Sequence, residues 1–267
     1  MSKNLAAALA AGTNVSGEFS YESAAYTANF ASEAEGDGKI DYKDSTGKIH
    51  FAMSKDALSY GGESGGAQIT VSTSSLPVPL DLSIASSLFD FAMPVTKGEG
   101  SQPFKLVTKL IDLKVSDAIW DMFDPTKQLP RDPATVVIDT NGKATMHLDI
   151  FDPATAEGSQ VPGQIDEVTL NELKVSAAGA ELTGTGHATI DNSGATPKPV
   201  GSVDLKLSGG NGLLDKLVAM GLVPEDQVMG VRMMLGMFAV PAGDDVLTSK
   251  IEFTEDGGIS ANGQRLQ

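Results

Sequence analysis

Along most of this chain apolar and polar residues alternate with a period of two, the signature of a strand with one covered face and one wet face. Phe19 and Tyr21, then Tyr26, Ala28 and Phe30, are separated mainly by Ser, Glu, Thr and Asn. Ile40 and Tyr42 continue the pattern, and Ile49, Phe51 and Met53 resume it beyond the turn-like Asp44-Ser-Thr-Gly47. Leu58 and Tyr60 lead into the glycine-rich stretch 61–66, which reads as a break between strands before Ile69 and Val71. Pro77 and Pro79 mark an irregular passage, because proline cannot donate to a central ladder. The pattern predicts short antiparallel strands joined by hairpins.

From 104 to 115 the alternation returns, with Val107, Ile111, Leu113 and Val115 in one parity. Ser116 has the chemistry of an N-cap, so a short helix is expected over 117–123, burying Ile119, Trp120 and Phe123 and stopped by Asp124-Pro125. Val136 and Ile138 enter a strand and Met146, Leu148 and Ile150 return from it. The intervening Asn141-Gly142 is the strongest short-range hairpin signal, because a type I′ turn needs positive φ at both central residues. A second β series follows over 165–175, 181–190 and 202–208, after a Gly/Pro/Ser-rich stretch at 156–163.

Two segments have helical spacing instead. Leu213, Leu214, Leu217 and Val218 share a face within 212–220, and Val228, Val231, Met234, Leu235 and Phe238 share one within 225–238, with 221–224 as the connection. A last hairpin sets Ile251 and Phe253 against Ile259 and Ala261 across a turn at 255–258. The opening residues, with Leu5 and Leu9 four apart and Gly12 behind them, read as a two-turn helix and not as a signal peptide, since the apolar part is short and mostly alanine. A helix directly after Met1 leads us to expect that an upstream segment has been removed. The expected division is a helix over 1–12, an antiparallel β module over 13–160, and a second β module over 161–267 that carries the helical hairpin 212–238.

Charge narrows the function. The 267 residues hold 19 Lys plus Arg and 35 Asp plus Glu, a net charge of −16, with no Cys. Nucleic acid is not an expected partner, because phosphate contacts need clustered Lys and Arg. Thiolate chemistry and disulfides are absent, and no stretch reaches the roughly 20 apolar residues of a membrane-spanning helix.

Candidate chemistry is sparse. Gly62-Glu63-Ser64-Gly65-Gly66 is similar to the nucleophile loop of trypsin-like proteases, but that site needs a distant upstream His and Asp, and His50 is only a strand away. His50, His147 and His187 each alternate with apolar neighbours, which places them on the polar side of their strands as solvated residues. Asp37, Asp41 and Asp44 lack the order of an EF-hand loop, and no phosphate-binding loop is present. No catalytic residue, metal ligand or cofactor is therefore expected. The methionines Met220, Met229, Met233, Met234 and Met237 concentrate in the helical hairpin. Core filling is their expected role; the alternative is a pliable surface for acyl chains or a hydrophobic partner, with Met233, Met237 and Phe238 as candidates to line a groove.

Ile119-Trp-Asp-Met-Phe-Asp-Pro125, Leu129-Pro-Arg-Asp-Pro-Ala-Thr135 and the closing Ile251-Glu-Phe253, Asp256-Gly257 and Asn262-Gly-Gln264 resemble the Domain of Unknown Function 2125 family. The resemblance implies an alphaproteobacterial protein exported to the periplasm, with this chain as the family's C-terminal half. It brings no catalytic residues. More loosely, a hairpin-rich β chain with a helical cover is similar in style to AsmA-like envelope proteins, whose curved sheets cradle lipids.

The reading is thus a β-dominated α+β protein with long antiparallel sheets, a short helix near Trp120 and a C-terminal helical hairpin. The expected function is a non-enzymatic cell-envelope protein that binds a lipid or other apolar ligand in a sheet-lined groove. Strand residues Ile49, Phe51, Met53, Val203, Leu205 and Leu207 would contribute to that groove. The alternative is a structural or protein-interaction module without a small-molecule ligand.

Overall fold

The computed structural model describes residues 7–9, 11–32, 36–98, 100–152 and 161–266. The strands are β1 (Val15–Tyr21), β2 (Ala24–Ser32), β3 (Gly36–Asp44), β4 (Thr46–Met53), β5 (Ala57–Thr73), β6 (Leu80–Pro94), β7 (Gln102–Val115) and β8 (Ala134–Met146). They continue as β9 (Gly163–Ala177), β10 (Ala180–Asp191), β11 (Lys198–Ser208), β12 (Val240–Gly243), β13 (Val246–Phe253), β14 (Ile259–Ala261) and β15 (Gln264–Arg265). Among the described residues all fifteen join one antiparallel sheet; twelve follow the order β1-β4-β5-β6-β7-β8-β9-β10-β11-β13-β14-β15, while β3 pairs with β5, β2 with β3 and β12 with β13. From β4 onward nearly every strand pairs with the next in sequence, so the sheet is a meander. Its β8–β9 pairing crosses residue 160, joining the two expected β series directly.

Among the described residues the sheet is accompanied by α1 (Asp117–Phe123), α2 (Gly210–Ala219) and α3 (Glu225–Phe238), besides the helical residues 7–9. Their bounds match the spacing of the sequence closely. Of the helix expected over 1–12, residues 7–9 are helical, with Leu9 buried, while 1–6 and 10 lie outside the described residues. Among the described residues no helix is long and apolar enough to cross a membrane.

Two expected breaks fail because of glycine. The expected break at 61–66 is the middle of β5, a strand of 17 residues or about 55 Å. The expected turn at Asn141-Gly142 is likewise interior to β8, and Gly142 lies directly opposite Phe104 of β7. A Cβ on Gly142 would lie 2.7 Å from two carbons of the Phe104 ring, so the glycine makes room for a cross-strand aromatic and not for a turn.

The turn expected at 44–47 is also not a hairpin. β3 and β4 run on in one direction, both antiparallel to β5: β4 pairs with residues 58–65 and β3 with 68–73. The interruption between them, Ser45, belongs to a line of irregularities that includes Glu22-Ser23, Gly66 with φ +71° and Asp112 with φ +54°. The apolar parity changes across this line, from Phe19 and Tyr21 to Tyr26 and Phe30, and from Leu58 and Tyr60 to Ile69 and Val71. A single inserted residue has this effect when a strand bends without turning its apolar set to the other face. A polar clamp sits on the line: the hydroxyls of Tyr21 and Tyr42 donate to Asp44 Oδ2 at 2.5 and 2.9 Å, and Asp44 is 5% exposed. The bond to Asp44, with burial and the carboxylate charge, pushes the Tyr21 phenol up to about 12.

Candidate functional site: the apolar face of the sheet

In an antiparallel pair, directly opposed residues point to the same side of the sheet. One row can therefore be followed across eleven strands: Gly17, Phe51, Tyr60, Phe91, Leu106, Thr140, Leu170, Gly186, Val203, Ile251 and Ala261. At a strand spacing of about 4.8 Å this row is roughly 48 Å long. The row two residues away reads Phe19, Ile49, Gly62, Phe89, Thr108, Ile138, Leu173, Gly184, Leu205 and Ser249. All six strand residues expected to line a groove fall on this one face: Ile49, Phe51, Met53, Val203, Leu205 and Leu207.

Interior glycines on this face lie between large neighbours. Gly62 stands between Ile49 and Phe89, Gly142 between Phe104 and Val168, and Gly184 between Leu173 and Leu205. The neighbouring side chains lie over the bare backbone, as Phe51 does over Gly17 with a ring carbon 2.5 Å from where a Cβ would stand.

The opposite face is charged. Glu18, His50, Gly61, Asp90, Val107, Asp139 and Glu172 form one of its rows. Lys105 pairs with Asp90 at 2.6 Å, Lys143 with Glu167 at 2.9 Å, and Lys109 reaches Asp139 and Glu172 at 3.8 Å. His50 approaches Asp90 at 3.9 Å and His187 bonds Thr169, so both sit on the polar side as read from the sequence, although with partners. His147 lies just beyond β8 and is exposed. A cavity of about 510 Å³ opens between β9 and β13, lined on this side by Glu172, Lys174, Asp204, Lys206 and Lys250, chemistry unsuited to an acyl chain. Among the described residues no cluster of His, Asp and Glu has the makings of a metal site.

The apolar face has little cover. Phe19 is 62% exposed, and Ile49, Phe51, Tyr60, Phe89, Leu106 and Ile138 all remain exposed. Among the described residues the main helix–strand packing is α2 against β10. Few large apolar side chains of the described residues are buried, among them Val95, Val107, Val137 and Val228. The core-filling role expected of the methionines is overturned for four of the five: Met229, Met233, Met234 and Met237 are all exposed, Met233 by 67%, while Met220 is half-buried; Phe238 is 37% exposed. Only Val228 of α3 is buried, because the helix packs on α2 and on little else. Met233 and Met237 share a helix face as expected. The carbonyl of Phe238 accepts from Ser249 Oγ, which ties the end of α3 to the sheet beside Leu205.

The sequence motifs around Trp120 and Arg131 form a clasp that the spacing did not disclose. Arg131 donates through Nη1 to Asp117 at 2.8 Å, and through Nη2 to Asp121 at 2.6 Å and to the carbonyl of Asp124 at 3.1 Å. Its guanidinium lies 5.9 Å from the Trp120 ring centre. Asp124, fully enclosed, accepts the backbone N–H groups of Gln128 and Leu129. Burial pushes its carboxyl up, but those two amides and the Arg131 charge outweigh this and hold it below the ordinary range. Contrary to expectation α1 buries no side chain fully: Trp120 is half-buried and Phe123 exposed, their rings tilted against each other at 4.9 Å. Asp117 and Asp121, four apart ahead of an Arg, were the available signal. The clasp is architectural.

The fold and this face define a class: a single-layer β meander, apolar on one side and ion-paired on the other, with a protruding helical hairpin. The chain belongs to the DUF2125 family, described as an uncharacterized protein conserved in bacteria, whose model matches residues 63–263. No curated protein and no solved structure matches the chain.

Proposed function

We propose that this protein is a non-enzymatic component of the cell envelope that binds a lipid or other apolar ligand along the apolar face of its sheet. The observation that supports this reading is the row from Phe51 to Ile251, a mainly apolar track interrupted at Thr140 and Gly186, over which no second layer lies among the described residues. Monomeric soluble proteins seldom leave contiguous apolar surface on this scale unless something binds there. A long acyl chain lying across the strands would meet rings and branched side chains in turn, with the glycines as shallow dips between them. The periplasm is the compartment in which such a protein would work, a placement that rests on the family resemblance.

Native mass spectrometry of the purified protein, with lipid extraction, tests this directly, alongside titration with a fluorescent acyl-chain probe. Tyr60→Glu combined with Ile138→Glu changes two exposed positions and should abolish probe binding while the far-ultraviolet spectrum stays native. His187→Ala, on the charged face, should leave binding intact. Met233→Asp with Met237→Asp decides whether α3 belongs to the site. Absence of both co-purified lipid and probe binding in the wild type would sink the ligand reading. The second reading, a protein-interaction module, would then stand on the exposed methionines of α3, since flexible Met side chains suit adaptable binding surfaces.

A further inference from the structure

The two edges of the sheet are built differently. At the far edge β12, β14 and β15 have four, three and two residues, β12 contains Pro241, and the α2–α3 hairpin sits beside them. Short strands and proline are the usual means by which an edge is kept from pairing with another chain. At the near edge β1 and β2 follow each other over seven and nine residues. β2 reads Ala-Ala-Tyr-Thr-Ala-Asn-Phe-Ala-Ser, without charge, proline or glycine, in a chain of net charge −16. Among the described residues it pairs with β3 alone. Tyr26 is 58% exposed, stacked on Tyr42 at 4.8 Å, and Phe30 lies over Gly38.

We propose that two copies of this chain pair through β2, antiparallel about a two-fold axis at Ala28. The sequence of β2 is self-complementary in that register. Tyr26 faces the partner's Phe30, and Phe30 the partner's Tyr26, giving two cross-strand aromatic pairs. Thr27 faces the partner's Asn29, a hydrogen-bonding pair, and Ala28 faces its own copy. No charge opposes a like charge, which would be destabilising directly across a ladder. Sliding the register by two residues in either direction sets both aromatics against Ala or Ser and loses the pairs. Nine residues add about nine backbone hydrogen bonds to an edge that otherwise holds unpaired N–H and C=O groups. With the two-fold axis perpendicular to the sheet, the row Tyr26, Tyr42, Ile69, Leu82 and Val115 continues into the second copy on the same face. The pairing does not depend on a ligand.

Light scattering on the full chain reads the result. The mass should rise from 27.7 kDa toward twice that value as concentration increases. Ala28→Lys, at an exposed position, sets two like charges on the axis and should hold the mass at 27.7 kDa with an unchanged circular dichroism spectrum. Because the chain has no cysteine, Ala28→Cys gives a single thiol at the axis. Opposed Cα atoms lie about 4.5–5.5 Å apart, within disulfide reach, so mild oxidation should give a covalent dimer. Asn29→Cys should not cross-link, because diagonal partners are about 7–8 Å apart or more. A wild-type mass of 27.7 kDa at every concentration overturns the proposal, as does a dimer unaffected by Ala28→Lys. Equal cross-linking at positions 28 and 29 overturns the register.

Discussion

Replacing Gly142 with alanine tests the idea that interior glycines are there to seat cross-strand side chains. The added methyl would overlap the carbonyl oxygen of Glu167 and lie 2.7 Å from the Phe104 ring. The ring can swing, but the carbonyl belongs to the β8–β9 ladder and can yield only if the two strands part. Overpacking of this kind costs about 1–3 kcal/mol. Against it stands the conformational advantage of Ala over Gly within a regular element, about 0.5–1 kcal/mol. The clash wins, leaving a net loss of roughly 1–2 kcal/mol and a fall in Tm of about 2–4 °C for a chain of this size. Thermal melts by circular dichroism measure it, and amide hydrogen exchange should place the loss of protection in β8 and β9. Gly230→Ala is the opposite control: nothing lies within 4 Å of the new methyl, so the helix propensity gain should raise Tm. If Gly142→Ala leaves Tm unchanged or raises it, the seating argument is wrong.

Arg131→Met should free α1 from its clasp, giving a red shift in the emission of Trp120, the single tryptophan, while the circular dichroism of the sheet is retained. For Asp166, burial pushes the carboxyl up, but the hydroxyls of Ser101 and Thr145 and the amide of Gln164 outweigh it and hold it below the ordinary range. Its folded value is therefore the lower one, so its contribution to stability is complete above about pH 4 and is lost as pH falls through that lower value. Urea denaturation between pH 5 and 2 should show a shallower acid loss in Asp166→Asn than in the wild type.

Local signals in the sequence were reliable where the structure is local. The pairing of Ile251 with Ala261 and of Phe253 with Ile259 is the one the alternation implies, with Gly257 at φ +83° in the turn between them. Helix α3 begins and ends where its spacing says. Gly142 misled because its true partner, Phe104, lies 38 residues upstream, and Asn-Gly has the same appearance in a turn as under a ring. The Gly61–Gly66 run misled for the same reason. An amphipathic pattern discloses that a helix has an apolar side but not whether anything covers it, so the exposure of Met233 and Met237 could not be read from spacing. The strand members of the apolar face were legible, since parity alone sorts Ile49, Phe51 and Met53 from their neighbours. Their joining into one track needed the register of ten ladders.

The meander has a consequence for how the molecule comes apart. Each strand rests on the two beside it, and little connects β5 to β10 except the strands between. Stability in such an array is close to a sum of nearest-neighbour terms, as in a solenoid, and lacks the all-or-none character of a globule with a shared core. Fraying then starts at the two ends and moves inward, with the central strands β7 to β9 the last to open. Formation can run the other way, from any adjacent pair outward, because each closure spans a short stretch of chain. Damage at one margin is thus contained there, and a lesion in β1 leaves the ladder at β11 intact.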